Sequence, residues 1–228
     1  MKIGFTGIDI VEGKVKYDDE SLNILRAKDN PKKFSPYFVE FVRDVFIRAD
    51  AIVIPKIKIL DLLIHDIQQI ENRLARIEDE QEKKLLARCL EQLEKEIPLC
   101  DMPLDENDQI LLRNSAPYST LPVVMIEGSE DVNTIITRSL EKAGYMFFYT
   151  TGPAESHSWL VRLGSTIVTC AEAIHTDLAK GFIKGDVAGF DDYLTCHNFN
   201  DCRAKGLVRL VDRNYIVQPK EILEIRFK

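Results

Sequence analysis

No apolar run in this chain approaches the roughly 20 residues that cross a bilayer, so no membrane-spanning helix is expected. The N-terminus shows no secretory signal pattern. Cysteine is scarce. Five residues, an odd number without CxxC or framework spacing, make a disulfide scaffold unexpected and a reducing, cytoplasmic compartment the default. Positive charge is in deficit: 30 Lys and Arg stand against 37 Asp and Glu, for a net charge of −7. That excludes a generic nucleic-acid coat but leaves room for a local basic face. What remains is an ordinary globular composition, 45% apolar and 29% charged over 228 residues, enough for one large domain or two to three small ones.

A complete phosphate-binding loop is missing as well. Lys2 to Ile8 reads as a strand, followed by GIDIVEGKV at 7–15. A P-loop needs glycine, four residues, glycine, lysine and a hydroxyl residue, so that backbone amides wrap the phosphates, the lysine reaches the β and γ oxygens and the hydroxyl holds magnesium. Five residues separate Gly7 from Gly13, and Val15 replaces the hydroxyl beyond Lys14. Lys16-Tyr17-Asp18-Asp19 follow in place of a helix N-terminus that could face an anion. A strand–turn–strand connection is the simpler reading.

Lys56 to Ile97 carries the most regular pattern. Leu60, Leu63, Ile67, Ile70, Leu74 and Ile77 alternate three- and four-residue steps, and Leu86, Leu90, Leu93 and Ile97 resume them after a charged break at 78–84. This predicts two antiparallel helices packed as a short coiled coil, ended by Pro98. Asp105 with Asp108 marks a helix start leading to Asn114, Leu121 to Ile126 a strand, and Ser129-Glu130 the start of a helix over 132–142. In the last third, strands are expected at 146–149, 158–163, 182–190, 207–211, 215–217 and 222–227, with a helix over 166–174. Together they describe a small mixed sheet curled round one helix.

FFYTTGP at 147–153, the lone Trp159, AIHTDLAKGFIKGDV at 173–187, FDD at 190–192, YIVQ at 215–218 and EILEIRF at 221–227 resemble the TGS domain of the YchF-type Obg-like ATPases. The resemblance implies a β-grasp, ubiquitin-like fold and a module linked to RNA, ribosome or regulatory partners; fold alone does not give function. Upstream, VKYDDESL at 15–22 resembles the family's segment after its first switch, and PKKFSPYFVEFV at 31–42 the strand before its DxAG magnesium motif. Here Arg43-Asp44-Val45-Phe46 follow instead, and IRADAIVIPK at 47–56 resembles the next family strand. IHDIQQIENRLARIED and LEQLEKEIPLCDMPL resemble the two limbs of the family's helical arm. The family's base-reading NxxE matches Glu127-Gly128-Ser129-Glu130, where an ionised Glu127 cannot donate as an asparagine amide does.

The fold class implied is an α/β remnant of a P-loop GTPase sheet with an antiparallel coiled-coil arm, plus a C-terminal α+β β-grasp TGS domain. The boundaries are 1–55 with 117–144 for the remnant, 56–116 for the arm and 145–228 for the TGS domain. Other candidate chemistry has structural readings. His175-Thr176-Asp177 reads as a turn with Asp177 accepting from nearby amides. Cys196, His197 and Cys202 lack a fourth metal ligand, Cys89 and Cys100 line the core, and Trp159 packs on the sheet. No catalytic residue and no metal site is expected.

The leading functional reading is a non-hydrolysing module that docks to RNA, the ribosome or a protein through the TGS face and the arm, with no membrane role and oligomeric state open. Its candidate partner-binding cations are Lys180, Lys184, Arg203, Lys205, Arg209 and Arg213. One alternative is an ATP- or GTP-binding protein with magnesium, weakly hydrolytic, that uses Gly7, Gly13 and Lys14 with Glu127 and Glu130. Another is a self-associating structural protein with the arm as its contact.

Overall fold

The computed structural model describes all residues, 1–228. In chain order the strands are β1 Lys2–Phe5, β2 Gly13–Lys16, β3 Lys33–Ser35, β4 Phe38–Arg43, β5 Ala51–Pro55, β6 Val123–Ile126, β7 Tyr145–Thr150, β8 Glu155–Arg162, β9 Phe182–Ala188, β10 Val208–Val211 and β11 Ile222–Phe227. The helices are α1 Glu20–Asp29, α2 Ile59–Leu74, α3 Glu80–Leu93, α4 Glu106–Leu112, α5 Val132–Lys142, α6 Ile167–Ile174, α7 Thr176–Lys180, α8 Phe190–Leu194 and α9 Phe199–Ala204. The chain divides into two compact units, Met1–Val15 with Val39–Ala143, and Lys16–Phe38 with Gly144–Lys228.

The first unit is built on a sheet of order β2-β4-β1-β5-β6, in which β1 runs parallel to β4 and β5, and β5 parallel to β6. Ala51 to Ile54 are all fully buried, as expected of a parallel strand covered on both faces. Ile52, Ile54 and Val123 share one core cluster with Leu62, Leu63 and Ile70 of α2 and Leu85, Leu86, Cys89 and Leu93 of α3. The two helices therefore lie in the same core as the sheet and do not form a separate 56–116 arm. This changes the seam. Leu60 is 44% exposed and Ile97 37%, whereas Leu62, Leu85 and Asp66 are buried. A third packing partner widens the apolar stripe beyond the two positions per heptad of an isolated pair. Asp66 accepts hydrogen bonds from the amides of Tyr118 and Ser119 at 2.6 and 2.8 Å, fixing the 3₁₀ turn at Tyr118–Thr120 against α2. The N-cap of α5 is Asp131, one residue past the expected start, because its carboxylate accepts from the Thr134 amide.

The second unit holds a six-stranded sheet of order β10-β9-β11-β7-β8-β3, with β11 parallel to β7, β3 parallel to β8 and the other pairs antiparallel. Helix α6 packs so close to β9 that a Cβ on Gly185 would collide with Ile167. Residues 215–217 form only an isolated bridge, Thr166 to Ile216, and no strand. His175 caps α7 by accepting from the Asp177 amide through Nδ1; Asp177 itself is not the acceptor. Trp159 is half-buried, stacked between His157 and Phe148. Cys196 and Cys202 are joined as a disulfide across the α8–α9 turn, their Cα atoms 5.5 Å apart. The turn brings together two cysteines that the spacing alone left unpaired, and their sulfurs hold each other rather than a metal.

The second unit also takes in residues 16–38, which the sequence analysis placed in the N-terminal remnant. Strand β3 adds to the sheet edge at β8, with Ser35 donating to Glu155 at 2.6 Å. Helix α1 is fastened at both ends. Asp19, its N-cap, is 6% exposed and accepts from the Tyr149 hydroxyl at 2.9 and 3.0 Å. Asp29, at its last residue, accepts from the hydroxyls of Tyr193 at 2.8 Å and Thr151 at 2.6 Å. Leu22 and Leu25 complete the contact, buried in one cluster with Tyr149, Tyr193 and Phe199. Burial pushes the Asp19 carboxyl up, opposed by the Leu22 amide and the Tyr149 hydroxyl.

Tyr149→Phe removes the donor and leaves a buried acceptor, so it should cost about 1–3 kcal/mol. In urea unfolding, Tyr149→Phe combined with Asp19→Ala should cost clearly less than the sum of the single changes. Simple additivity would show that the two groups do not act as a pair.

Candidate functional site

The parallel strands of the first unit direct their C-terminal ends toward two stretches, the β1–β2 loop at residues 6–12 and the β6–α5 turn at residues 127–131. Open parallel sheets place ligands at such ends. The β1–β2 connection has no helix after it: β1 leads by a loop into β2. Gly7 is left-handed, φ 68°, and a Cβ there would meet the Lys58 side chain at 2.8 Å. Gly13 is also left-handed, φ 111°, with open space around it, and Lys14 is exposed. The loop is organised by a residue that the sequence marked only as a departure from the magnesium motif. Arg43, at the end of β4, donates to the carbonyls of Ile8 and Ile10, each at 3.3 Å, and its amide donates to the Glu12 carboxylate at 3.4 Å. Its guanidinium also lies over the Phe5 ring. Carbonyls thus converge on a cation here, the reverse of the amide convergence that a phosphate requires.

At the other stretch, Glu127 pairs with Lys56 at 2.6 Å, a bond that draws its carboxyl below the usual range. Both side chains are exposed, so the pair adds little stability. Glu130 is held by Arg138 at 2.6 and 2.7 Å, and Arg138 also donates to the Met125 carbonyl at 2.7 Å. That carbonyl belongs to β6, the outer strand of its sheet, so Arg138 caps an edge group that would otherwise be free. A cavity of about 470 Å³ lies there, lined by Lys56, Glu127, Glu130 and Arg138 among others. The structure therefore sets Gly7 in the β1–β2 loop, Gly13 and Lys14 at the start of β2, and Glu127 and Glu130 in the other stretch, each acid already paired. No three His, Cys, Asp or Glu side chains cluster to hold a metal ion.

In the second unit, five of the six candidate cations have partners inside the domain. Lys184 pairs with Asp212, and Arg203 with Asp186 and Glu224. Lys205 pairs with Asp201, Arg209 with Glu221, and Arg213 donates to the Phe182 carbonyl. Lys180 is exposed near the end of α7. The centre of this network is Asp186, 2% exposed on β9, which also receives two bonds from Arg226 at 2.6 and 2.9 Å. Burial alone would raise its pKa, but Arg226 and Arg203 outweigh it and hold the carboxyl below its ordinary value.

Residues 145–228 match the family model YchF-GTPase_C, described as a protein of unknown function (DUF933). The fold aligns with the structure of the Schizosaccharomyces pombe YchF GTPase at a TM-score of 0.76 and 17% identity, over 96% of this chain and 88% of that one. The chain is 32% identical over 96 residues to the ribosome-binding ATPase YchF of Haemophilus ducreyi, 42% of this chain and 26% of that protein. The chain belongs to the YchF-type family. The YchF of Mycoplasma genitalium, also named a ribosome-binding ATPase, matches at 25% over 159 residues, 69% of this chain and 43% of that one. Obg-like ATPase 1 of Danio rerio matches at 37% over 99 residues, 41% of this chain and 25% of that one. This YchF-type chain thus spans between a quarter and under half the length of these curated relatives.

The depressed Asp186 pKa makes a pH prediction. A carboxyl held below its unfolded value contributes stability above that value, ordinarily 3.8, and loses the contribution as pH falls through the folded value. Thermal unfolding should therefore show Asp186→Asn destabilised by roughly 2–3 kcal/mol at neutral pH. The gap from wild type should close below about pH 4. A gap that persists unchanged at pH 3 would show that Asp186 acts through packing rather than charge.

Proposed function

We propose that this YchF-type chain is a non-hydrolysing docking module that associates with the ribosome through its C-terminal unit, read as a TGS domain of the β-grasp class, and through the helical pair α2–α3. The observation that carries the non-hydrolysing part is the Arg43 guanidinium on the carbonyls of Ile8 and Ile10. A loop so oriented turns carbonyls inward where a γ-phosphate cradle needs amides, and a strand rather than a helix N-terminus follows it. Catalysis of phosphoryl transfer depends almost entirely on such positioning and charge stabilisation. The TGS reading is supported by the parallel β7–β11 pair with α6 packed on the same sheet. The ribosome reading is supported by the names of the bacterial relatives.

The internal ion pairs refine the mode of docking. With Lys184, Arg203, Lys205 and Arg209 already holding carboxylates, few cations are available for rRNA phosphates. Each phosphate contact would cost about threefold in affinity for a fourfold rise in salt. Cosedimentation with ribosomes should therefore detect binding, with a loss of less than about tenfold between 50 and 200 mM KCl. A thousandfold loss would mean that the internal pairs open onto phosphates. No cosedimentation at either salt would overturn the ribosome reading.

A further inference from the structure

A second cavity, sharing only Lys142 with the one at the strand ends described above, opens in the first unit. It lies by Ala49, Leu121 and Pro122, the residues that lead into β5 and β6, and so at the opposite end of these strands from Gly7 and Glu127. Its volume is about 760 Å³, within the roughly 300–1,000 Å³ of small-molecule sites. The walls are apolar: Phe46, Leu99, Met102, Leu104, Leu112 and Leu121.

The charge around it is unlike that of the chain. Asp and Glu number 37 in the sequence, yet none lines this cavity, while Arg48, Arg113 and Lys142 do. Lys142 is held by Asp101 at 2.8 Å. Arg48 and Arg113 are exposed, and their guanidinium groups make no ion pair or hydrogen bond in the structure. Of the polar side chains in the lining, Gln109 donates to the Leu104 carbonyl and Thr120 to that of Pro117. Two of the chain's six left-handed non-glycine residues, Arg48 at φ 66° and Ala116 at φ 43°, also sit in this lining. Backbone of that kind is strained and gathers at ligand sites.

We infer that this cavity binds a small amphipathic carboxylate, its apolar body on the Phe46, Leu99, Leu112 and Leu121 walls and its carboxylate on the guanidinium groups of Arg48 and Arg113. The arginine fork matches a planar carboxylate with two parallel hydrogen bonds. Nothing in this assignment depends on the ribosome or nucleotide readings.

Anilinonaphthalene sulfonate, an aromatic anion, serves as the fluorescent probe on the full chain, competed by decanoate or by decanol. Decanoate should displace it, with decanol at least tenfold weaker. In the double variant Arg48→Asn, Arg113→Gln, decanoate should weaken at least tenfold and decanol stay unchanged; asparagine tolerates the left-handed backbone at position 48. Equal competition by the two compounds, or an unaffected double variant, would overturn the assignment. A second readout needs no substitution. Cys100 lines the cavity and is half-buried, whereas the other free thiols, Cys89 and Cys170, are fully buried. Peptide-mapped alkylation of Cys100 should slow at least fivefold with saturating decanoate. Unchanged labelling would place any bound decanoate elsewhere and refute the site.

Discussion

Arg43 decides which way the backbone of residues 8–12 faces. Its guanidinium draws the carbonyls of Ile8 and Ile10 toward the end of β4, and its own amide meets Glu12. A phosphate-binding loop works by the opposite polarity, with amides turned inward. The sheet beneath is intact, with β1 between β4 and β5 and every residue from Ala51 to Ile54 buried. What differs is the electrostatic character of the loop at its edge. On the facing turn, Lys56 and Arg138 neutralise Glu127 and Glu130, so the same end of the sheet carries closed ion pairs rather than open donors.

The second unit is governed by a different device. Helix α1 brings two carboxylates to the C-terminal sheet and its helices, where the hydroxyls of Tyr149, Tyr193 and Thr151 meet them. Each bond joins residues more than a hundred positions apart. With β3 on the β8 edge, the unit is an assembly of two chain segments. Its surface charges are likewise turned inward, onto Asp186 and Glu221. That makes the domain cohesive, and it lowers the free positive charge from what six cations in the sequence lead one to expect.

Local features were legible where local physics sets them. The spacing of 166–174 foretold α6, though not that Thr166 caps it, and Asp105 foretold α4. Long-range choices were not. Nothing local to Asp19 says that its partner is Tyr149, so residues 16–38 read as part of the N-terminal sheet. Leu60 fits a heptad as well as Leu63 does; only the presence of β5 and β6 as a third partner turns it outward. Residues 215–217 alternate like a strand but make only a bridge before Pro219. For the site, the departures Val15 and Glu127 were visible as departures, and Arg43 was visible in place of the magnesium motif. Its contact with two carbonyls required the fold.

Whether the loop at 6–12 grips a triphosphate can be read from calorimetric titration of the full chain with ATP or GTP in the presence of magnesium. With carbonyls turned inward by Arg43, no binding tighter than about 1 mM is expected for either nucleotide, a free energy no more favourable than about −4 kcal/mol. Micromolar binding that disappears in Lys14→Ala would contradict it.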